Sequence, residues 1–267
     1  MKILIFSGSH SRHLYIHKAI IDAGYDYHAI VMRRESIIPK PPEGITQLDR
    51  DNFIRHFVKR NEIEEKSFGN LKIEDVFAEE KRIIIEPQDL SSIKIVRMIE
   101  KNNFDFAFIF GPDMIKNPVL DALPKYKINL HLGLSPWYKG SATLFWPFYF
   151  LEPQFAGITL HNISDKPDEG DIFHQSVPEL SRGDGIHDVS SKAVIRARDE
   201  VLAMISNYQK YGKLKLIKQT TSGRVWRTSD FEPAHLRVIY NLFDDDIVDH
   251  YLDNMLSEKK PKLICGL

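Results

Sequence analysis

The chain has 267 residues, 43% hydrophobic and 27% charged, with 36 Lys and Arg against 37 Asp and Glu. This is the composition of a folded globular protein of one large or two modest domains, and it excludes a disordered chain or a coiled coil. A formal net charge of −1 gives no bulk attraction to nucleic acid or anionic lipid, and a single cysteine, Cys265, excludes an intrachain disulfide and fits a reducing, cytoplasmic compartment.

In chain order, Ile3 to Phe6 is a run of β-formers, too short for a secretory apolar core, that ends in Ser7-Gly8-Ser9-His10-Ser11. Arg12 to Ala23 then carries Ile16, Ala19, Ile20 and Ala23 at helical spacing, Gly24 stops it, and Tyr25 to Met32 reads as a second strand. This βαβ opening predicts an α/β fold with a mostly parallel, Rossmann-like sheet and helices on both faces. Arg34 to Asp49 is a Pro-rich loop (Pro39, Pro41, Pro42), and Arg50 to Glu65 reads as a mixed-charge helix with a solvated face. Arg82 to Ile85 is a third strand. Asp89 is expected to cap a helix running to Asn102 with Ile95, Val96 and Ile99 inward, and Phe104 to Phe110 follows as a nearly all-apolar central strand. A turn at Gly111-Pro112-Asp113, a short helix around Asn117 to Leu123 and a strand at Lys127 to Leu132 come next.

The aromatic stretch Thr143 to Leu151 contains Pro147 and falls short of the ~20 residues of a membrane span, so no membrane association is expected. Phe145, Phe148 and Tyr149 have helical spacing and read as core. Gly157 to Ile163 and Asp171 to Val177 are two further strands, antiparallel neighbours or a sharp bend in the sheet. Asp188 to Tyr211 is a long helix with one apolar stripe (Ala193, Ala197, Val201, Met204, Ile205, Tyr208) closed by Gly212. The main domain is accordingly expected over 1–212. Residues 213–267 read as a small C-terminal α+β appendage, with a strand at Lys213 to Leu216, a turn at Ser222-Gly223 and a strand through Val225 and Trp226. Its charges nearly cancel, which argues against gripping nucleic acid.

Two stretches carry chemistry. The Gly8-Ser9-His10-Ser11-Arg12 turn joins a first strand to a first helix, where backbone N–H groups, hydroxyls and a guanidinium suit a phosphate; a plain capping turn would look the same. It has neither the G-x-G-x-x-G nor the G-x-x-x-x-G-K-[ST] spacing, so nicotinamide and P-loop nucleotides are unsupported. In Ile128-Asn129-Leu130-His131-Leu132, strand alternation places Asn129 and His131 on one face near the C-terminal end, where open α/β sheets bind ligands. An amide beside an imidazole suits an oxyanion and a proton, although for this strand taken alone a hydrogen-bonded, half-buried histidine is the simpler reading. Downstream, Thr159-Leu160-His161-Asn162 ends in the acid-rich loop Ser164-Asp165-Lys166-Pro167-Asp168-Glu169-Gly170.

On these residues the chain resembles the N10-formyltetrahydrofolate-dependent formyltransferases, a family that includes the glycinamide ribonucleotide, methionyl-tRNA and sugar enzymes. The likeness covers roughly residues 1–180. It lies in an Asn-x-His strand (Asn129, His131), a loop with Pro136 and Gly140, and an Asp-x-Gly loop (Asp168, Gly170). Where family members often read His-Pro-Ser-Leu-Leu-Pro, this chain reads His131-Leu132-Gly133-Leu134-Ser135-Pro136. The resemblance implies N10-formyltetrahydrofolate as formyl donor, with Phe110, Gly111, Pro112, Asp113, Met114, Ser164 and Asp165 lining its site. It implies that Asn129 and His131 donate to a developing oxyanion and that Asp168 orients the histidine or a water and accepts the amine proton. Gly8, Ser9, His10, Arg12 and His13 are candidates for an acceptor phosphate, and Trp137, Tyr138 and Lys139 for flanking the acceptor. No metal is implied; His131, His161, Asp168 and His174 match no zinc-ligand spacing.

A small-molecule amine, in particular a nucleotide-linked amino sugar, is the expected acceptor. A tRNA would call for a larger basic C-terminal domain, and the glycinamide ribonucleotide enzymes are usually shorter. A formyltetrahydrofolate hydrolase and a non-enzymatic α/β binding module are the remaining alternatives, with a nucleotide-dependent oxidoreductase weakened by the missing glycine fingerprint. Trp226 and the tail could form a dimer contact, giving a homodimer, or a lid.

Overall fold

The computed structural model describes residues 1–34, 38–221 and 223–267. Strand β1 (Lys2–Gly8) alternates Ile3 and Ile5 to one face of a sheet with Leu4 and Phe6 to the other, and all four side chains are fully buried. Helices must therefore cover both faces. Helix α1 (Ser11–Asp22) leads into β2 (Asp26–Met32), then come α2 (Gln47–Phe68), α3 (Ile73–Val76), β3 (Arg82–Ile85), α4 (Ile93–Asn102), β4 (Phe106–Phe110), α5 (Val119–Ala122) and β5 (Lys127–His131). Two-residue β6 (Lys139–Gly140) and α6 (Trp146–Tyr149) precede β7 (Ile158–Asn162), β8 (Ile172–Ser176) and α7 (Ile186–Tyr211); β9 (Val225–Trp226) and α8 (Ile247–Leu252) lie in the tail.

The main sheet has the order β3-β2-β1-β4-β5-β7-β8. Its first five strands are parallel, and β7 and β8 are antiparallel to their neighbours, which resolves the two possibilities left open for 157–177. The order reverses between β1 and β4, so the crevice at their C-terminal ends is the ligand position of a doubly wound sheet. One face packs on α1 and α7 through Leu14, Ile16, Ala197, Val201 and Met204; the other packs on α4 through Ile95 and Ile99. Thr46 caps α2 by accepting from the Asp49 N–H at 3.2 Å, and Gly212 closes α7 in the left-handed region at φ 64°.

Two local expectations are corrected. Asp89 ends a short 3-10 turn, and Ser92 occupies the position before α4. Lys213 to Leu216 forms no strand; pairing falls instead on Ile217, which bridges Ile172. In the tail, Leu236, Ile239, Tyr240, Ile247 and Val248 share a buried cluster with Phe53 of α2, Trp146 of α6 and Ile186 of α7. The expected turn at Ser222 lies outside the described residues. Among the described residues no helix is long and apolar enough to cross a membrane.

His17 of α1 is fully buried among Phe77, Phe108 and Phe110, with neither ring nitrogen hydrogen-bonded, and burial lowers its pKa from 6.5 to about 3. A histidine that charges in the unfolded chain near 6.5 but not in the fold costs stability as pH falls from 6.5 toward 3, at about 1.4 kcal/mol per unit. His17→Leu removes both the unpartnered polar atoms and this linkage. The variant is expected to gain about 1–3 kcal/mol, more at pH 5 than at pH 7.5. Urea midpoints at the two pH values check it, and equal midpoints for variant and parent would refute it.

Candidate active site

Asn129 and His131 stand two residues apart on β5 and so share a face. The antiparallel register of β7 sets His161 directly across from Asn129, whose Nδ2 donates to His161 Nε2 at 3.2 Å. The loop from β7 to β8 turns back over this pair. Asp168 sits in it at φ 51°, a left-handed conformation that Asp tolerates through local hydrogen bonding. Gly170 has no space for a Cβ, which would overlap the Asn162 carbonyl oxygen. The result is one carboxylate between two imidazoles: Asp168 Oδ2 lies 3.5 Å from His131 Nδ1, and Asp168 Oδ1 lies 3.3 Å from His161 Nε2.

The remaining ring nitrogens fix the protons. His131 Nε2 donates to the Tyr138 carbonyl at 2.8 Å and His161 Nδ1 to the Asn162 carbonyl at 3.0 Å, since a carbonyl only accepts. In the neutral rings, the nitrogens facing Asp168 therefore present lone pairs, and one added proton converts either contact into a charge-assisted hydrogen bond. Burial by itself would raise the Asp168 carboxyl, but His131, His161 and the Gly140 N–H, which donates to Oδ2 at 2.7 Å, together hold it well below the usual carboxylate range. Burial lowers His131 below 6.5, and Asp168 opposes this only in part. The cluster is thus a deprotonated, buried carboxylate–imidazole pair able to take up one proton.

These groups open on a cavity of about 710 Å³. Phe110, Gly111, Pro112, Asp113, Met114 and Ser164 line it, and Asp165 does not. Arg12 and His13 line it; Gly8, Ser9 and His10 do not. Gly8 lies against the His13 ring too closely to admit a Cβ, and Ser9 Oγ accepts from the Arg34 N–H at 2.8 Å, so the turn is used internally. His10 stacks on His13. Trp137, Tyr138 and Lys139 do not line it. Trp137 sets its edge on Phe155, buried Tyr138 donates to Glu152 at 3.0 Å, and Lys139, 0% exposed, pairs with Glu169 at 2.8 Å. His174 lies apart from the cluster, 3.5 Å from Glu200.

Sequence reasoning passed over His161 as a partner of Asp168, although its alternation with Thr159 places it on the Asn129 face. It also passed over the α2 residues His56, Arg60 and Glu64 and His187 of α7, all of which line the cavity. The four-residue spacing of the α2 trio was the available signal.

The sequence matches the family described as "Formyl transferase" over residues 1–203. A methionyl-tRNA formyltransferase from Finegoldia magna is 22% identical over 129 residues, 48% of this chain and 41% of that protein, and one from Streptococcus agalactiae is 26% identical over 125 residues, 47% and 39%. The matched part of the chain thus spans about two fifths of the length of these curated relatives. The formyltransferase PseJ from Anoxybacillus kamchatkensis, solved with UDP-4,6-dideoxy-4-formamido-L-AltNAc and tetrahydrofolate, superposes with a TM-score of 0.52 at 16% identity, covering 92% of this chain and 96% of that one. At that identity the likeness is one of fold.

Proposed function

Because the chain belongs to the formyl transferase family, we propose that it moves a formyl group from N10-formyltetrahydrofolate to the primary amine of an amino sugar, one linked to a nucleotide. The observation that carries the reading is the meeting of Asn129, His131 and Asp168, with 3.5 Å between imidazole and carboxylate, on the wall of a 710 Å³ cavity at the C-terminal end of β5. The segment Phe110 to Ile115, with Ile163 and Pro167, offers a mostly apolar stretch of cavity wall suited to a pterin ring. The solved PseJ complex, which holds a formamido sugar nucleotide and tetrahydrofolate, supports both the donor and the acceptor class.

In this reading the amine attacks the formyl carbon, the carbon–N10 bond breaks, and one proton passes from the amine to N10. Asn129 has two amide hydrogens and spends one on His161, which leaves the other for the oxygen that gains negative charge. His131 has no free donor for that oxygen, since both its nitrogens are engaged, so its part is different from a direct oxyanion contact. It stores the amine's proton on Nδ1 against Asp168 and returns it to the leaving nitrogen. The pair acts as the base, because a carboxyl held so low is by itself a weak proton acceptor.

The test is incubation of the purified protein with N10-formyltetrahydrofolate and a panel of amines: nucleotide-linked amino sugars, glycinamide ribonucleotide and methionyl-tRNA. Mass spectrometry should show one formyl group gained by an amino sugar. Transfer to glycinamide ribonucleotide or tRNA alone overturns the acceptor class, and folate turnover equal with and without amines makes the protein a hydrolase.

A further inference from the structure

Helix α2 projects His56, Arg60 and Glu64, one above the other at four-residue steps, into the same cavity as the Asp168 cluster. Glu64 is 8% exposed. Its Oε1 accepts from Arg12 Nη1 at 2.7 Å and from Arg60 Nε at 2.8 Å, while its Oε2 is buried without a partner. Two guanidinium groups thus share one carboxylate, leaving one positive charge over. The neighbouring cavity imidazoles do not change this count, because burial keeps His13, His56 and His187 neutral at pH 7. An uncompensated charge in a largely enclosed wall is expensive unless a ligand brings the opposite sign.

The guanidinium groups are also arranged to receive one. Arg12 spends Nη1 on Glu64 and Nε on His13, and Arg60 spends Nε on Glu64, so among the described residues Arg12 Nη2 and both Arg60 terminal nitrogens keep donors for the cavity. The shared carboxylate fixes both planes, so little side-chain entropy is lost when an oxyanion arrives. Along α2, His56 stands two turns before Glu64, about 12 Å at 1.5 Å per residue, with Phe57 and Phe231 also on the cavity wall. That length suits an elongated ligand with an anionic end at the arginines and a planar, uncharged end near His56.

We propose that Arg12 and Arg60, held by Glu64, form the seat for the phosphoryl groups of a nucleoside diphosphate carried by the acceptor, with Arg60 as a specificity-determining residue and Glu64 as a positioning residue. This rests on the amino-sugar-nucleotide reading above, and it assigns the seat to α2, a helix that the sequence presents as a solvated surface element.

Calorimetry with uridine diphosphate, thymidine diphosphate and inorganic pyrophosphate tests the seat on the whole chain without any formyl transfer. Arg60→Gln should weaken nucleoside diphosphate binding at least tenfold, and Arg60→Lys, which keeps the charge but loses the planar fork, should recover part of it. Glu64→Gln should weaken it less, with thermal unfolding recorded to verify folding. In steady state, Arg60→Gln should raise the acceptor KM at nearly constant kcat, and affinity for 5-formyltetrahydrofolate should stay within twofold. No diphosphate binding by the parent protein, unchanged binding by Arg60→Gln, or an equal loss of folate affinity would overturn the seat. Diphosphate binding that is lost in Arg60→Gln, in a protein that formylates none of the amines, would sink the formyl-transfer reading and leave the seat standing.

Discussion

Asp168→Asn should lower kcat/KM by about 10³, within the range of 10²–10⁴ for removal of a general base, while leaving the unfolding temperature unchanged or higher. Asn has the same shape and tolerates the left-handed backbone at φ 51°. Its carbonyl oxygen, in the place of Oδ2, can still accept the Gly140 N–H, and its amide, in the place of Oδ1, can donate to the lone pair of His161 Nε2, which in the parent faces an acceptor. The fold therefore keeps its contacts, and His131 loses the carboxylate that stabilises the proton it takes up. Folate and acceptor KM should move by less than a few-fold.

The pH profile separates this role from a structural one. The working form is deprotonated, so kcat/KM falls on the acid side, and because burial lowers His131 the fall begins below 6.5. Asp168 acts to raise His131, so its loss shifts the remaining acid limb to still lower pH. A variant retaining a tenth of the parent rate, or an acid limb moved upward, contradicts the carboxylate–imidazole pair as base.

The parts of this molecule legible in the chain are those set by local rules. β1, β2, β4 and β5 announce themselves by short apolar runs ended by turn residues, and Asn129 and His131 share a face because strand periodicity demands it. What was not legible depends on pairings far apart in sequence. Lys139, beside Gly140 in a loop, reads as an exposed cation, and only Glu169 arriving from the β7–β8 loop makes its complete burial affordable. The mixed charges of α2 hide the fact that His56, Arg60 and Glu64 face a cavity. The tail's apolar residues are too few for a core of their own, and their burial needs Phe53, Trp146 and Ile186 from three other elements.

One of these distant pairings reaches the site directly. β6 and β9 pair in parallel, Gly140 with Trp226, so the tail clasps the loop that holds Asp168 in place. Gly140 adopts φ 89°, and a Cβ there would overlap the Trp226 carbonyl oxygen, which also accepts the Ser141 N–H at 2.8 Å. Gly140→Ala must therefore open the clasp as well as adopt an unfavourable backbone, at an expected cost of about 2–4 kcal/mol. For a chain of this size that lowers the unfolding temperature by roughly 4–7 °C. The same shift draws the Gly140 N–H away from Asp168 Oδ2, so kcat should fall about tenfold or more at temperatures where the variant is fully folded, through loss of a hydrogen bond to a charged group. Trp226→Phe is the control. It thins the stack on Trp146, whose rings lie 4.0 Å apart, and should cost stability while leaving the Gly140 contact to Asp168 and kcat intact. If Gly140→Ala loses stability and keeps full kcat, the clasp is structural only, and the positioning of Asp168 depends on the two imidazoles alone.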